Sequence, residues 1–302
     1  MRYGVTITTD APVDDVVDEI RRAREAGFAS VALSQIFGYD ALTMLAVAGR
    51  EVPDVELMTA VVPTYPRHPL VLAAQALTVQ AATGGRLVLG IGLSHQVVIE
   101  GVFGYSFDRP ARHMREYLRA LLPMLRGEQV SYQGDTVSVS TFGPLDVRAP
   151  APPVLLAALA PQMLRLAGTE ADGTATWMVG PATLADHVVP SITAAAAEAG
   201  RPAPRVSVSL PVSVSEDVDA AREAAARTFA IYGQLPSYRA MLDREGATGP
   251  ADVAIVGDED AVAAQIAAVA DAGATEFVAA PYGSAAELER TWSLLSRLAK
   301  AG

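Results

Sequence analysis

The side chains that could do chemistry in this chain are few and stand in two places. Between Pro63 and Pro69 lie Tyr65, Arg67 and His68. A phenol, a cation and an imidazole this close together can orient a polar ring, offset anionic charge and move a proton. The second place is Gly90-Ile91-Gly92-Leu93-Ser94-His95. His95 is the first candidate for a general acid or base, because an unperturbed imidazole titrates near pH ~6.5. A satisfied structural histidine is the equal alternative. His68 has the same two readings, a bond to a helix terminus or a ligand contact. His113, beside Arg112 and Arg115, reads as a solvated or interhelical residue. With His187, these histidines lack metal-ligand spacing, and the chain has no cysteine. No metal site, thiolate nucleophile or disulfide is expected.

Neighbouring motifs narrow the chemistry. In a dinucleotide fingerprint starting at Gly90, the third glycine would fall at His95, and the next clear helix starts near Pro110. The glycines therefore read better as the end of a strand that permits close backbone approach. Ser94 lacks the second glycine of a nucleophile elbow, and no Walker A loop occurs. Leu155 to Met163 reads as a strand, a small-residue turn and Pro161 at a helix start. Its free N–H groups suit a phosphate, or the turn is an ordinary connection. Trp177, Met178 and Tyr282 fall near strand ends, as cofactor-pocket walls or as caps on the core.

The elements that position these residues alternate along the chain. Apolar runs rich in Val, Ile and Leu predict strands at Tyr3–Thr8, Ala29–Ser34, Val55–Val62, Leu87–Ile91, Val154–Ala158, Thr174–Val179, Val206–Val214 and Glu276–Ala280, of the kind buried on both faces. Helical spacing is found in Asp14–Ala26, with Gly27 as its stop, and in Ala41–Arg50, Leu70–Ala82, Ala111–Leu125, Gln162–Gly168, Thr183–Ala199, Asp217–Tyr232, Asp260–Ala272 and Ala285–Lys300. The alternation suits an α/β fold of the (β/α)8 TIM-barrel type, with its chemistry at the strand C-termini. Two stretches read as insertions. Gln129–Ser140 alternates like a hairpin around Gln133-Gly134-Asp135, and Gln234–Val253 has no clear strand. No linker divides the 302 residues, so one domain over 1–302 is expected.

Composition sets the outer bounds. At 51% hydrophobic the chain can bury a sizeable core. No run of about twenty uncharged apolar residues exists, so no membrane span is expected. The N-terminus lacks the pattern of a signal peptide, which makes the cytoplasm the expected compartment. The formal charge is −11, and the arginines are scattered apart from a short cluster near Arg109 to Arg119. A nucleic-acid partner is not expected.

These segments together resemble the luciferase-like monooxygenase superfamily, most closely its actinobacterial branch that uses the deazaflavin coenzyme F420. The resemblance rests on Thr59-Ala60-Val61-Val62-Pro63 with Tyr65 and Arg67-His68-Pro69, and on Gly85 to Gly92. It continues in Asp108-Arg109-Pro110 with Arg115 to Leu118, Leu125-Arg126-Gly127, Ala157 to Met163, Ala167-Gly168, Ala171-Asp172-Gly173 and Ala272 to Val278. Each motif is loose, but their order spans nearly the whole chain.

The resemblance implies a bacterial-luciferase-like barrel with a flavin or deazaflavin across its C-terminal mouth. It implies a cis peptide at Ala60–Val61 and a cofactor phosphate on the turn from Leu159 to Gln162. Implied cofactor contacts are Thr59, Ala60, Val61, Arg67, His68, Ser94, Ala158, Leu159, Ala160, Gln162, Met163 and Trp177. His95 matches a position that carries a catalytic carboxylate in some members, and Tyr65 and Gln35 would orient substrate or cofactor. Two departures stand out. Ser34-Gln35-Ile36-Phe37 replaces an acidic residue and a histidine; Gln35 cannot act as a base at ordinary pH, and Ile36 has no proton to give. Leu159-Ala160 replaces a glycine pair.

The expected activity is hydride transfer between coenzyme F420 and a small organic substrate. One alternative is an FMN-dependent monooxygenase served by a separate flavin reductase. Another is a non-catalytic barrel that binds a flavin or a protein partner. A homodimer is compatible with each of these.

Overall fold

The computed structural model describes residues 1–35 and 37–301. Ile36, singled out above for its lack of a proton, lies outside them. Among the described residues, eight parallel strands close into a barrel. They are β1 (Arg2–Thr6), β2 (Ser30–Leu33), β3 (Glu56–Thr59) with its continuation β4 (Val62–Pro63), β5 (Leu87–Gly92), β8 (Val154–Leu156), β9 (Gly173–Trp177), β10 (Arg205–Val214) and β12 (Glu276–Pro281). Each pairs with the next in that order, and β12 returns to β1. An open sheet reversing at Gly90–Gly92, as a dinucleotide fold would require, is not what forms. All eight predicted strands are barrel strands.

Helices α1 (Val13–Glu25), α2 (Ala41–Glu51), α3 (Pro69–Ala82), α5 (Pro110–Leu125), α6 (Pro161–Glu170), α8 (Val189–Glu198), α9 (Val218–Thr228), α11 (Glu259–Asp271) and α12 (Ala285–Ala301) are those the spacing predicts. Asp40, Asp217 and Asp258 cap α2, α9 and α11 by accepting from backbone N–H groups. The first insertion is a hairpin, β6 (Ser131–Gln133) against β7 (Ser138–Ser140). Among the described residues, the second has no strand, as read, but is not all loop. It contains a helix, α10 (Pro236–Glu245), and is followed by a short strand, β11 (Ile255–Gly257), that pairs with the end of β10. Two further short helices, α4 (Gln96–Gly101) and α7 (Pro181–Thr183), precede α5 and α8. The first was invisible in the pattern because six residues span fewer than two helical turns, whereas the second continues through a π-helical turn (Leu184–Val188) into α8, so that the predicted helix Thr183–Ala199 begins at its last residue.

Successive residues of a strand face opposite sides, so the barrel interior is built in layers. At the strand starts lies a polar floor. Arg205 donates to Glu276 at 2.6 and 3.1 Å and to Glu56 at 2.5 Å, and Ser30 donates to Glu276 at 2.7 Å. Above it, Ala32, Met58, Val88, Leu155 and Val278 form an apolar layer. Two residues further along their strands come Thr6, Ser34, Ala60, Ala157, Ser209 and Ala280, all small and half-buried. The upper end is thus a shallow seat with a small-residue base.

The Glu276 side chain is 0% exposed. Burial alone would raise its pKa. The charge of Arg205 and the hydrogen bonds from Arg205, Ser30 and Ser207 outweigh burial and hold it below the usual carboxylate range. Removing one partner strands the other in the interior. Arg205→Met is expected to lower the unfolding free energy by about 3–5 kcal/mol. A carboxylate with a depressed native pKa contributes stability above its unfolded pKa and loses it as pH falls through the native value. In the variant Glu276 is buried without its cation, so acid relieves it. Urea titrations should show the gap between the two proteins narrowing as pH falls from about 7 towards about 4. A gap that does not change with pH contradicts this assignment.

Candidate active site

The loop that carries Tyr65, Arg67 and His68 is placed by an unusually close approach of two strands. A β-carbon on Gly90 would fall inside contact distance of the Thr59 carbonyl oxygen, and one on Gly92 would meet Val61 Cγ2 at 2.8 Å. Only glycine fits at either point. The Thr59 hydroxyl donates to the Gly90 carbonyl at 2.8 Å and accepts from the Gly90 N–H at 2.9 Å. Thr59, expected as a cofactor contact, therefore has its hydroxyl committed to the barrel wall. The Ala60–Val61 bond that follows is cis, as the resemblance implies. Pairing with β5 then resumes at Val62 and Pro63, and Thr64 N–H donates to the Gly92 carbonyl at 2.9 Å.

Beyond that point a cavity of about 830 Å³ opens between the loop, α3, α5 and the β6–β7 hairpin. Gln35, Tyr65, Arg67, His68, Gln75 and His113 are among its lining residues. The Tyr65 ring lies between His113, at 4.0 Å and 12° to its plane, and Phe107, at 5.3 Å and 28°. Its hydroxyl is buried and has no hydrogen-bond partner among the described residues, and neither does Gln75 Oε1. Burial, reinforced by Asp108 and Glu100, pushes the Tyr65 pKa up to about 12, so the phenol stays protonated.

Four residues singled out from sequence have defined partners here, and the reading of one of them changes. His113 is neither solvated nor set between helices: its side chain is buried against the loop, with Nε2 at 3.1 Å from Thr64 Oγ1. Burial pulls its pKa down to about 4, only partly opposed by Glu116, and leaves it neutral near pH ~7. Arg67 is paired with Asp40 at 2.6 Å, so its charge is already offset. Burial would raise the Asp40 pKa, but hydrogen bonds from Thr43 and Arg67 bring it below the usual value. Gln35 Oε1 accepts from Ala41 N–H at 2.8 Å and from Arg67 at 3.3 Å, which makes it a tie between α2 and the loop. His68 caps α3. Its Nδ1 accepts from Leu70 N–H at 3.3 Å, and its Nε2 donates to the Ser138 carbonyl at 3.0 Å. Of its two sequence readings, the bond to a helix terminus is present.

His95 stands elsewhere. It precedes α4, whose Val98 lines the cavity, while the His95 ring faces Tyr238 of α10 at 5.6 Å. Burial lowers its pKa, which favours the neutral imidazole. From Tyr238 a chain of aromatic rings crosses the mouth through Tyr232, Trp177, Phe229 and Tyr282, with centroids 5.2 to 5.8 Å apart. Trp177 Nε1 is buried, and the Tyr232 hydroxyl is the group placed to accept from it. Ser94 is half-buried in the left-handed region at φ 60°.

The turn before α6 has Ala160 and Gln162 exposed and Ala158 and Met163 buried. No side chain caps this helix start. By contrast, Glu245 accepts from Ala182 and Thr183 N–H at the start of α7. The Leu159 carbonyl accepts from His187 Nε2 at 2.8 Å, which anchors the turn. Tyr65, Arg67, His68 and Gln35 thus share the cavity; His95, Ser94, Trp177 and the Leu159–Gln162 turn are not among its lining residues. Gln75, Phe107, His113 and Tyr238 were missed as site residues.

An unpartnered buried hydroxyl is a liability until a ligand meets it. Tyr65→Phe should leave the free protein as stable as before, or more stable by about 1 kcal/mol, as read by urea unfolding. Loss of stability instead would mean that the hydroxyl already has a partner.

Residues 1–276 match the family model described as luciferase-like monooxygenase. An uncharacterised protein of Mycobacterium tuberculosis is 31% identical over 222 residues, 69% of this chain and 65% of its own length. The F420-dependent glucose-6-phosphate dehydrogenase of Intrasporangium calvum is 29% identical over 221 residues, 68% of this chain and 66% of its own length. Among solved structures, the coenzyme F420-dependent tetrahydromethanopterin reductase from Methanopyrus kandleri superposes with a TM-score of 0.82 at 23% identity, over 98% of this chain and 97% of that one. The curated relatives are thus matched over about two thirds of their length. With a closed parallel barrel, small-residue mouth and glycine-dependent third strand in place, the chain belongs to the luciferase-like monooxygenase family of enzymes.

Proposed function

We propose that the protein is a coenzyme F420-dependent oxidoreductase that moves a hydride between the deazaflavin and a small organic substrate, with residues 1–302 working as one unit. The observation that carries this reading is the mouth. Ser34, Ala60, Ala157, Ser209 and Ala280 offer a half-buried base of small residues, and Trp177 stands beside it. Such a seat fits a flat heterocycle. The likeness to a relative named F420-dependent supports the choice of cofactor.

When bound, the deazaflavin supplies the hydride chemistry, and the protein supplies binding, orientation and proton transfer. The uncapped start of α6 at Ala160 to Gln162 would hold the cofactor phosphate through backbone N–H groups. Ala60 and Val61 would back the ring, with Ser94, Ala158, Leu159 and Met163 around it. His95, neutral through burial, would accept the proton released when a substrate alcohol or amine is oxidised, and would donate one only at lower pH. Tyr65 stays a neutral hydrogen-bonding group throughout.

Two experiments test this reading. Fluorescence titration should show coenzyme F420 binding more tightly than FMN; tighter FMN binding, or neither binding below millimolar concentration, contradicts it. His95→Ala should lower single-turnover hydride transfer by roughly 10²–10⁴-fold with cofactor affinity nearly unchanged. The wild-type rate should fall on the acid side with an apparent pKa below 6.5, the direction in which burial moves it, and that limb should be lost in the variant. Lower stability with full activity per folded molecule would make His95 structural and leave an ordered water to move the proton.

A further inference from the structure

The cavity beside the mouth differs chemically from the mouth itself. Phe37, Phe103 and Tyr105 line it and remain exposed, a placement typical of a surface that meets an apolar ligand. Two of its lining residues, Tyr65 and Gln75, each carry a buried polar atom without a partner among the described residues, Tyr65 Oη and Gln75 Oε1, which a ligand meets once these side chains turn toward the cavity. A neutral phenol can donate, and an amide oxygen can only accept.

The cavity also lacks free positive charge among the described residues. Asp40 offsets Arg67, and both ring nitrogens of His68 are bonded. His113 is neutral near pH ~7. The charges felt by Tyr65 come from Asp108 and Glu100, and both are negative. A phosphate or carboxylate entering here would be desolvated without compensation.

We propose that this cavity is the substrate pocket and that it takes an uncharged, planar ring carrying both a hydrogen-bond acceptor for Tyr65 and an N–H or O–H donor for Gln75. This rests on reading the mouth as the seat of the cofactor. It excludes sugar phosphates and carboxylic acids as substrates.

The test uses 2-quinolinone, an uncharged lactam, and quinoline-2-carboxylate, its anionic counterpart, as probes of the full-length protein by isothermal titration calorimetry. Wild type, Tyr65→Phe and Gln75→Leu are compared, with coenzyme F420 titrated into each preparation and thermal unfolding recorded as a check of folding. The expected result is that the lactam binds and the carboxylate does not. Each substitution should weaken the lactam by about tenfold, the loss of one buried hydrogen bond, and leave F420 binding and the unfolding midpoint unchanged. Tighter binding of the carboxylate, no lactam binding at millimolar concentration, or lactam binding untouched by both substitutions overturns the proposal. F420 affinity that falls in step with lactam affinity overturns it too, because the cavity would then hold the cofactor. Failure of F420 to bind wild type, with lactam binding still dependent on Tyr65 and Gln75, would overturn the cofactor reading and leave the uncharged-ring site standing.

Discussion

The contact between Thr59 and Gly90 sets the position of everything at the reactive end of this barrel. One hydroxyl both donates to and accepts from the backbone of the neighbouring strand. The strands are then too close for any β-carbon at residue 90. That approach is what lets the third strand leave the ladder at Ala60 and Val61 and rejoin it at Val62. The rejoined strand delivers Thr64 and Tyr65 to the cavity wall, while Ala60 stays at the base of the mouth. An alanine at Gly90 would have to push apart two strands inside a closed barrel, where interior packing leaves little room to relax.

Stability and chemistry are kept at opposite ends. The charged floor formed by Arg205, Glu276 and Glu56 ties the starts of three strands together far from any opening. The C-terminal end has instead unpartnered polar atoms, half-buried small residues and exposed aromatic rings. A polar atom buried without a partner lowers stability and favours a ligand that can pair it. Tyr65 and Gln75, which line the cavity, carry two of these atoms. The cavity is also electrically spent, because Arg67 and Asp40 cancel. The start of α6 has no side-chain cap, and on the proposed reading its Gln162 N–H would meet the anionic group of the cofactor. On the reading proposed above, cofactor and substrate would be sorted by charge as well as by shape.

The barrel was legible because its strands are runs of Val, Leu and Ile buried on both faces, which no other local structure explains as well. The short helix α4 and the inserted α10 were not. One is too brief to show a period, and the other lies among Gly and Pro residues that read as loop. His113 was misread from its arginine neighbours. Adjacent helical residues point apart, and the partners that mattered were Thr64 and Tyr65 on the loop and Tyr117 one turn on. The pairing of Arg67 with Asp40 joins residues 27 positions apart, and nothing in the local sequence announces it. Gln75 sits in an Ala- and Leu-rich helix where its amide looked inert. Thr59 and Gly90 were both noticed, but their mutual hydrogen bonds are a tertiary fact.

The central claim is a division of labour at the barrel's upper end: cofactor on the small-residue mouth, uncharged substrate in the cavity beside Tyr65. A crystal structure of the protein soaked with coenzyme F420 tests it most directly. The account predicts the deazaflavin ring over Ala60, Ala157 and Ala280, beside Trp177, its phosphate at Ala160 to Gln162, and the Tyr65 cavity open. Deazaflavin density inside the Tyr65 cavity, or a phosphate held by Arg67 with its bond to Asp40 broken, would contradict it.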